Sequence, residues 1–134
     1  MGKEISFKIY MQYEDTGTIT SKDFDYDCIF SGAAKFAIET SFNRHYIIGK
    51  EEFTGCLENR KQRVFTGDIL QHIHDKKLFN WLVIFNNGCF GIKNIGVDGY
   101  LGDFFPINSI YYFYDRITVG NIYDNPEMLK VAFT

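Results

Sequence analysis

His72 and His74 are the residues of this 134-residue chain whose type and spacing come nearest to a metal site. Side chains alternate along a strand, so two histidines two positions apart project to the same side. Asp75 follows them, and imidazole is the commonest protein ligand for metals. Zinc takes three or four ligands, however. His45 and Cys56 could complete the set, but nothing in the local sequence demands either. The sharp reading is a metal-dependent hydrolase; the simpler one is a solvated strand face. Asp23, Asp25 and Asp27 form a D-x-D-x-D run, which in a calcium loop would be followed by a glycine and a bidentate glutamate. Neither stands at the right offset, so a polar-edged strand or loop is expected.

Other groups invite equally sharp readings. Arg60, Lys61 and Arg63, interleaved with Asn59 and Gln62, make a cationic loop that beside exposed aromatics would grip phosphates or stack bases. A solvated hairpin tip is the plainer account, given the formal net charge of -3. Gly67-Asp68 reads as a turn in which the carboxylate bonds nearby backbone N–H groups, rather than as a site aspartate. Tyr111, Tyr112, Phe113 and Tyr114 follow Ile110 and place rings on both faces of what reads as a strand. One face meets the core. The other is a candidate subunit interface, because tyrosine is enriched where apolar contact and water coexist. No G-x-S-x-G marks a nucleophile. Any Cys–His pair from Cys28, Cys56 or Cys89 would have to be assembled in space, a buried free cysteine is usually just a small hydrophobe, and no cofactor is expected.

Composition sets the frame for these residues. One domain fits the length, with 46% apolar residues to build its core. The 14 Phe, 9 Tyr and single Trp favour pleated sheet. A pI near 5.5 argues against general phosphate binding and leaves room only for a local patch. Three cysteines, an odd number with no CxxC, do not make a disulfide framework. The start MGKEISFKIY lacks the basic-then-apolar pattern of a signal peptide. Met1-Gly2 with Ser6 fits a myristoylation pattern only superficially. No run of about 18 apolar residues is present, so no membrane span is expected. An intracellular protein with reduced thiols follows from this reading.

The elements that must position these residues are mostly strands. Ile5, Phe7, Ile9 and Met11 alternate with Ser6, Lys8, Tyr10 and Gln12, which predicts a strand with one buried face. Asp15-Thr16-Gly17 turns it into a hairpin that returns through Ile19. Residues 33–40 fit a helix capped by Ser31 and also a strand, which the extended character of 44–48 slightly favours. Gly55 and the polar run Glu58–Gln62 read as loop. Val64-Phe65 is a short apolar pair, and after Gly67-Asp68 a strand runs through Ile73. Trp81–Phe85 is a near-continuous apolar run, expected to be buried on both faces. Asn87-Gly88 is the favoured pair of a type I′ hairpin turn, with Cys89, Phe90 and Ile92 on the return. Residues 94–109, with Gly96, Gly99 and Gly102, read as loop, and their spacing is not a dinucleotide fingerprint. Residues 110–114 and 117–123 read as strands. Residues 125–131 read as a short helix with Asn125 as N-cap and Pro126 at its first position.

Three stretches together carry a resemblance. They are FTGCLENRKQRVFTGDIL (53–70), VIFNNGCFGI (83–92) and ITVGNIYDNPEML (117–129), with FKIYMQYEDTGTIT as a looser opening match. Their order and spacing resemble the YopX-like family of phage and prophage proteins, the last being the most specific. The loop NRKQR lacks the glycine the family commonly carries there, and residues 21–50 match nothing in the pattern. The resemblance implies a β-rich protein encoded by a phage or prophage, self-associating, with no chemistry attached.

The fold expected is therefore mainly β. It is a small antiparallel barrel or bent sheet with a short carboxyl-terminal helix, about six to eight strands in all. One YopX-like domain spans 1–134, with 1–50 as a candidate hairpin-containing subdomain. The function expected is a non-enzymatic accessory protein in the cytoplasm of a bacterial host. It would act by protein–protein contact with copies of itself or with a phage or host protein. The rivals are a nucleic-acid-binding barrel using Arg60–Arg63 and the metal hydrolase.

Overall fold

The computed structural model describes residues 6–25 and 45–129. Segment 33–40, Cys28, Asp27 and residues 130–134 lie outside the described residues. The chain divides into two compact units, Met1–Phe53 and Thr54–Thr134.

In the first unit, β1 (Ser6–Tyr13) pairs antiparallel with β2 (Ile19–Asp25) and with the first part of β3 (His45–Leu57). The expected opening hairpin is present. Tyr13 N–H donates to Thr18 O at 3.0 Å, and Gly17 N–H donates to Tyr13 O at 2.9 Å, with Gly17 at φ 70°. β2 runs further than read, to Asp25. One-sided burial of β1 does not hold: Ser6 and Tyr10 are buried along with Ile9 and Met11. As the middle strand of three, β1 is paired along both edges, and alternation in the sequence reports only its apolar face.

β3 continues into the second unit. Gly55, read as loop, lies within this strand at φ 88°, a conformation that suits a residue without Cβ. The loop begins only at Glu58. Beside the end of β3, Thr54 Oγ1 donates to Val64 O of β4 (Arg63–Phe65) at 2.8 Å and accepts from Cys56 N–H at 3.2 Å.

The rest of the second unit is built on a five-stranded antiparallel sheet. Its strands are β5 (Asp68–His74), β6 (Lys77–Asn86), β7 (Cys89–Ile95), β8 (Leu101–Pro106) and β9 (Ile117–Asn121), in the order β8-β7-β6-β5-β9. With β8 and β9 as its two edges, the sheet is open and no closed barrel forms among the described residues. The β6–β7 turn is type I′ as read, with Asn87 at φ 50° and Gly88 at φ 83°. The β5–β6 turn has the same form at Asp75-Lys76, φ 50° and 63°. The sequence conceals it, because lysine is not a residue that announces positive φ.

β8 corrects the loop reading of 94–109. Gly102 and Pro106 hide it, yet an edge strand tolerates both, since its outer side needs no ladder donors. The strand read over 110–114 is also corrected. Residues 110–115 form successive turns, with Tyr112 N–H on Ser109 O, Tyr114 N–H on Tyr111 O and Arg116 N–H on Phe113 O. The carboxyl-terminal helix reduces to one 3₁₀ turn, Pro126–Met128. Asn125 makes no side-chain cap bond, and Leu129 is already extended, because its buried side chain is drawn into the core.

Alternation sends the sheet's apolar residues to two sides. Leu70, Val83 and Ile92 pack with Cys56, Val64 and Phe113 on one face. Ile69, Leu82 and Ile95 pack with Leu129 on the other, beside Ile122 and Met128. Burial on both faces is complete only at Leu82 and Val83; Phe85, at the end of the apolar run, is exposed. Gly91 on β7 lies under the Phe104 ring of β8, and a Cβ there would overlap that ring and the Phe105 carbonyl oxygen. Gly91→Ala should therefore lower stability by about 1–3 kcal/mol, read as a lower urea midpoint at unchanged slope.

Candidate functional site

Glu58 is the least expected residue in the cationic loop. Its side chain has no exposed surface, and its carboxylate collects donors from two distant segments. Oε1 accepts Arg60 N–H at 2.6 Å and Gln62 N–H at 3.3 Å; Oε2 accepts Thr118 N–H of β9 at 2.7 Å. Burial pushes the carboxyl up. Backbone N–H donors at Thr118, Arg60 and Gln62, with the Arg60 charge, outweigh it and hold the group below its ordinary value of 4.5.

Arg60 completes this arrangement. Its Nη2 donates to Thr118 O at 2.7 Å and stands 3.4 Å from Glu58 Oε2. Asn59 N–H donates to Arg116 O, and its Nδ2 to Tyr114 O, both at 2.8 Å. The guanidinium read as a phosphate grip is thus engaged in fastening its own loop to β9. Lys61, at φ 64°, and Arg63 are exposed.

The corner Gly67-Asp68 is a turn, as its chemistry suggested. Asp68 is buried and accepts Phe65 N–H at 2.9 Å. Gly67 N–H donates to Val83 O at 2.8 Å, and Gly67 O accepts Ile122 N–H at 3.0 Å. After β9, GNIYDNP closes on itself. Asn121 Oδ1 accepts the N–H groups of Tyr123 and Asp124, each at 2.9 Å, while Asn125 Oδ1 accepts Asn121 N–H at 3.2 Å. The Asn125 amide occupies the space that a Cβ on Gly120 would need. The residue types in these stretches therefore have local reasons: side chains that mimic backbone partners and a glycine that admits one of them.

The histidines sit elsewhere, on the Leu70–Val83 face of β5 and β6. As expected of a two-residue spacing, they share a side, their ring centroids 6.4 Å apart. His74 Nε2 lies 3.5 Å from Asp75 Oδ2, but among the described residues no group of three or more His, Cys, Asp or Glu could hold a metal ion. Cys56 is buried in the core, its Sγ donating toward Ser109 O at 3.7 Å, and the side chain of His45 lies outside the described residues. His72 instead joins an aromatic band. It lies 5.6 Å from Phe79 and 5.8 Å from Trp81, and Trp81 lies 6.1 Å from Phe105. Trp81 Nε1–H donates to His72 Nδ1 at 2.8 Å. That bond places the neutral ring's proton on Nε2, so this imidazole offers a donor outward rather than a metal-binding lone pair. The Arg116 guanidinium stacks on the rings of Trp81 and Tyr112, 5.5 and 5.1 Å from their centroids, and bonds Tyr112 O and Asp115. Burial lowers the His72 pKa from the ordinary 6.5, and the Arg116 charge adds to this.

The four aromatic residues read as an interface do not share one environment. Phe113 is fully buried and plugs the core, and Tyr112 is half-buried against it. Tyr111 and Tyr114, 60% and 55% exposed, meet edge to face at 5.2 Å, with Ile110 at 63% beside them. The turns at 110–115 thus present a small apolar knob on a buried anchor. Sequence reasoning missed the roles of Glu58, Trp81 and Arg116, because each depends on a partner in another strand or segment. Two testable outcomes follow from Glu58. Glu58→Gln should cost about 2–3 kcal/mol, because it turns an amide donor toward backbone donors. Since the Glu58 pKa is depressed in the folded state, its stabilisation is complete above 4.5 and lost as pH falls through the lower folded value. Denaturant titrations at stepped pH should show that acid loss in the parent chain and a flatter profile in Glu58→Gln.

No curated protein matches the chain. Among the described residues, no helix is long and apolar enough to cross a membrane. The resemblance carried by the loop at 53–70, the hairpin at 83–92 and the self-bonded close at 117–129 is borne out across nearly the whole sequence. Residues 5–130 match the family described as YopX protein, and the chain belongs to that family.

Proposed function

We propose that this chain is a non-enzymatic accessory protein of a phage or prophage, working through protein–protein contact and as a homo-oligomer in the host cytoplasm. The observation that carries the reading is the knob of Ile110, Tyr111 and Tyr114. Three large side chains stand in water on a turn held rigid by buried Phe113 and by the Asn59 bond to Tyr114 O. Tyrosine pairs on a fixed support are what contact surfaces use, because their area is large and little rotamer entropy is lost. The family-like motifs support the non-enzymatic part. Glu58, Asp68, Asn121 and Asn125 are engaged in hydrogen bonds within the chain. The phage origin and the self-association follow the family resemblance.

Light scattering and sedimentation at micromolar concentrations test the proposal. The parent chain should sediment as an oligomer, and Tyr111→Ala with Tyr114→Ala should weaken self-association at least about tenfold, the scale of a lost aromatic hot spot. A monomeric parent chain overturns the homo-oligomer, and an oligomer insensitive to the double variant removes the knob from it. The nucleic-acid reading is weakened by the engagement of Arg60. Labelled single strands titrated across a salt series should show no salt-sensitive affinity.

A further inference from the structure

We propose that His72 and Trp81 form an acid-sensitive latch on the aromatic face of β5 and β6: neutral His72 holds the indole, and a proton on His72 releases it. The latch stands on hydrogen-bond geometry and is independent of the tyrosine knob. Trp81 Nε1–H donates to His72 Nδ1 at 2.8 Å. An indole nitrogen can only donate, and a protonated imidazole can only donate as well. Adding a proton to Nδ1 therefore turns this contact from a bond into two donors facing each other.

The surroundings sharpen the change. Arg116, from the turns at 110–116, stacks on Trp81 and adds a fixed positive charge, while His74 faces His72 from the same strand. Asp115 opposes them, but it already bonds Arg116 Nη1 at 3.1 Å. Phe79 and Trp81, from β6, bring no charge. Burial, then Arg116 and His74, hold the His72 pKa below 6.5, with Asp115 acting against them. Because the folded-state value is depressed, the neutral, latched form prevails above 6.5, and the latch opens as pH falls through that lower value. Opening frees the indole from its partner and changes the ring surface that Trp81 shares with Phe79 and Phe105.

The chain has a single tryptophan, so the indole N–H proton signal and the tryptophan emission come from Trp81 alone. The full chain is titrated from about pH 8 to pH 5, the range in which histidine changes charge. The expected result is a shift of the indole N–H signal and of the emission with a midpoint below 6.5, shared with the His72 ring signals. Far-UV circular dichroism should stay unchanged through it. His72→Asn keeps an acceptor oxygen near the Nδ1 position and does not titrate, so its indole signal should stay flat. His74→Asn should retain the transition, with its midpoint moved upward by loss of a neighbouring charge. A transition that persists in His72→Asn overturns the latch. So does an indole signal in the parent chain that ignores the His72 titration, or one that moves only with loss of the circular dichroism. If His72→Asn does not fold, the shared or separate midpoints in the parent chain decide alone.

Discussion

A buried carboxylate must find hydrogen-bond donors or lose its charge, and Glu58 finds them in backbone N–H groups of two segments. Arg60 and Gln62 N–H define its own loop, and Thr118 N–H, sixty positions along the chain, belongs to β9. The carboxylate thus forms the loop and fixes where β9 lies. β9 would otherwise present an unsatisfied edge. Glu58 takes the Thr118 N–H, Arg60 takes its carbonyl, and Asn125 takes the Asn121 N–H. Side chains occupy positions that another strand could have used, which is one way a sheet edge is protected from further pairing. With β9 set, Ile122 reaches Gly67 O and Leu129 enters the core.

This constraint explains why the motifs that place the chain among YopX proteins contain so many polar residues and so little legible chemistry. Asp68, Asn121 and Asn125 act as Glu58 does, accepting backbone N–H groups that strands and turns leave open. Such groups are costly to bury unpaired. Family resemblance in this chain therefore marks how the backbone is stitched. Off the motifs, aromatic side chains gather on the tyrosine knob at 110–114 and on the band formed by His72, Phe79, Trp81 and Phe105.

The band shows how one sheet face can be both core and surface. Leu70, Val83 and Ile92 are covered by Cys56, Val64 and Phe113, and further along the same strands the cover ends. Aromatic rings and a stacked guanidinium take over there. Trp81 belongs to both regions: its ring packs on the core, and its N–H meets His72. A polar tip on an apolar body suits that margin.

The amino-acid sequence alone determined most of the strands and the turns that announce themselves. Period-two alternation, Gly17, Gly67-Asp68 and Asn87-Gly88 are local signals, and local sterics were enough to make them true. It did not reveal β8, because Gly102 and Pro106 speak against a strand that only an edge position permits. Nor did it reveal the Asp75-Lys76 turn, whose strand pairing imposes a conformation that lysine does not advertise. Tertiary structure decided that IYYFY would fold into turns, which carry Phe113 into the core. It also decided that Glu58 would be buried and that His72 would accept a hydrogen bond from an indole. Propensity acts between neighbours in the chain, whereas burial and hydrogen-bond satisfaction depend on which distant segments the fold brings together.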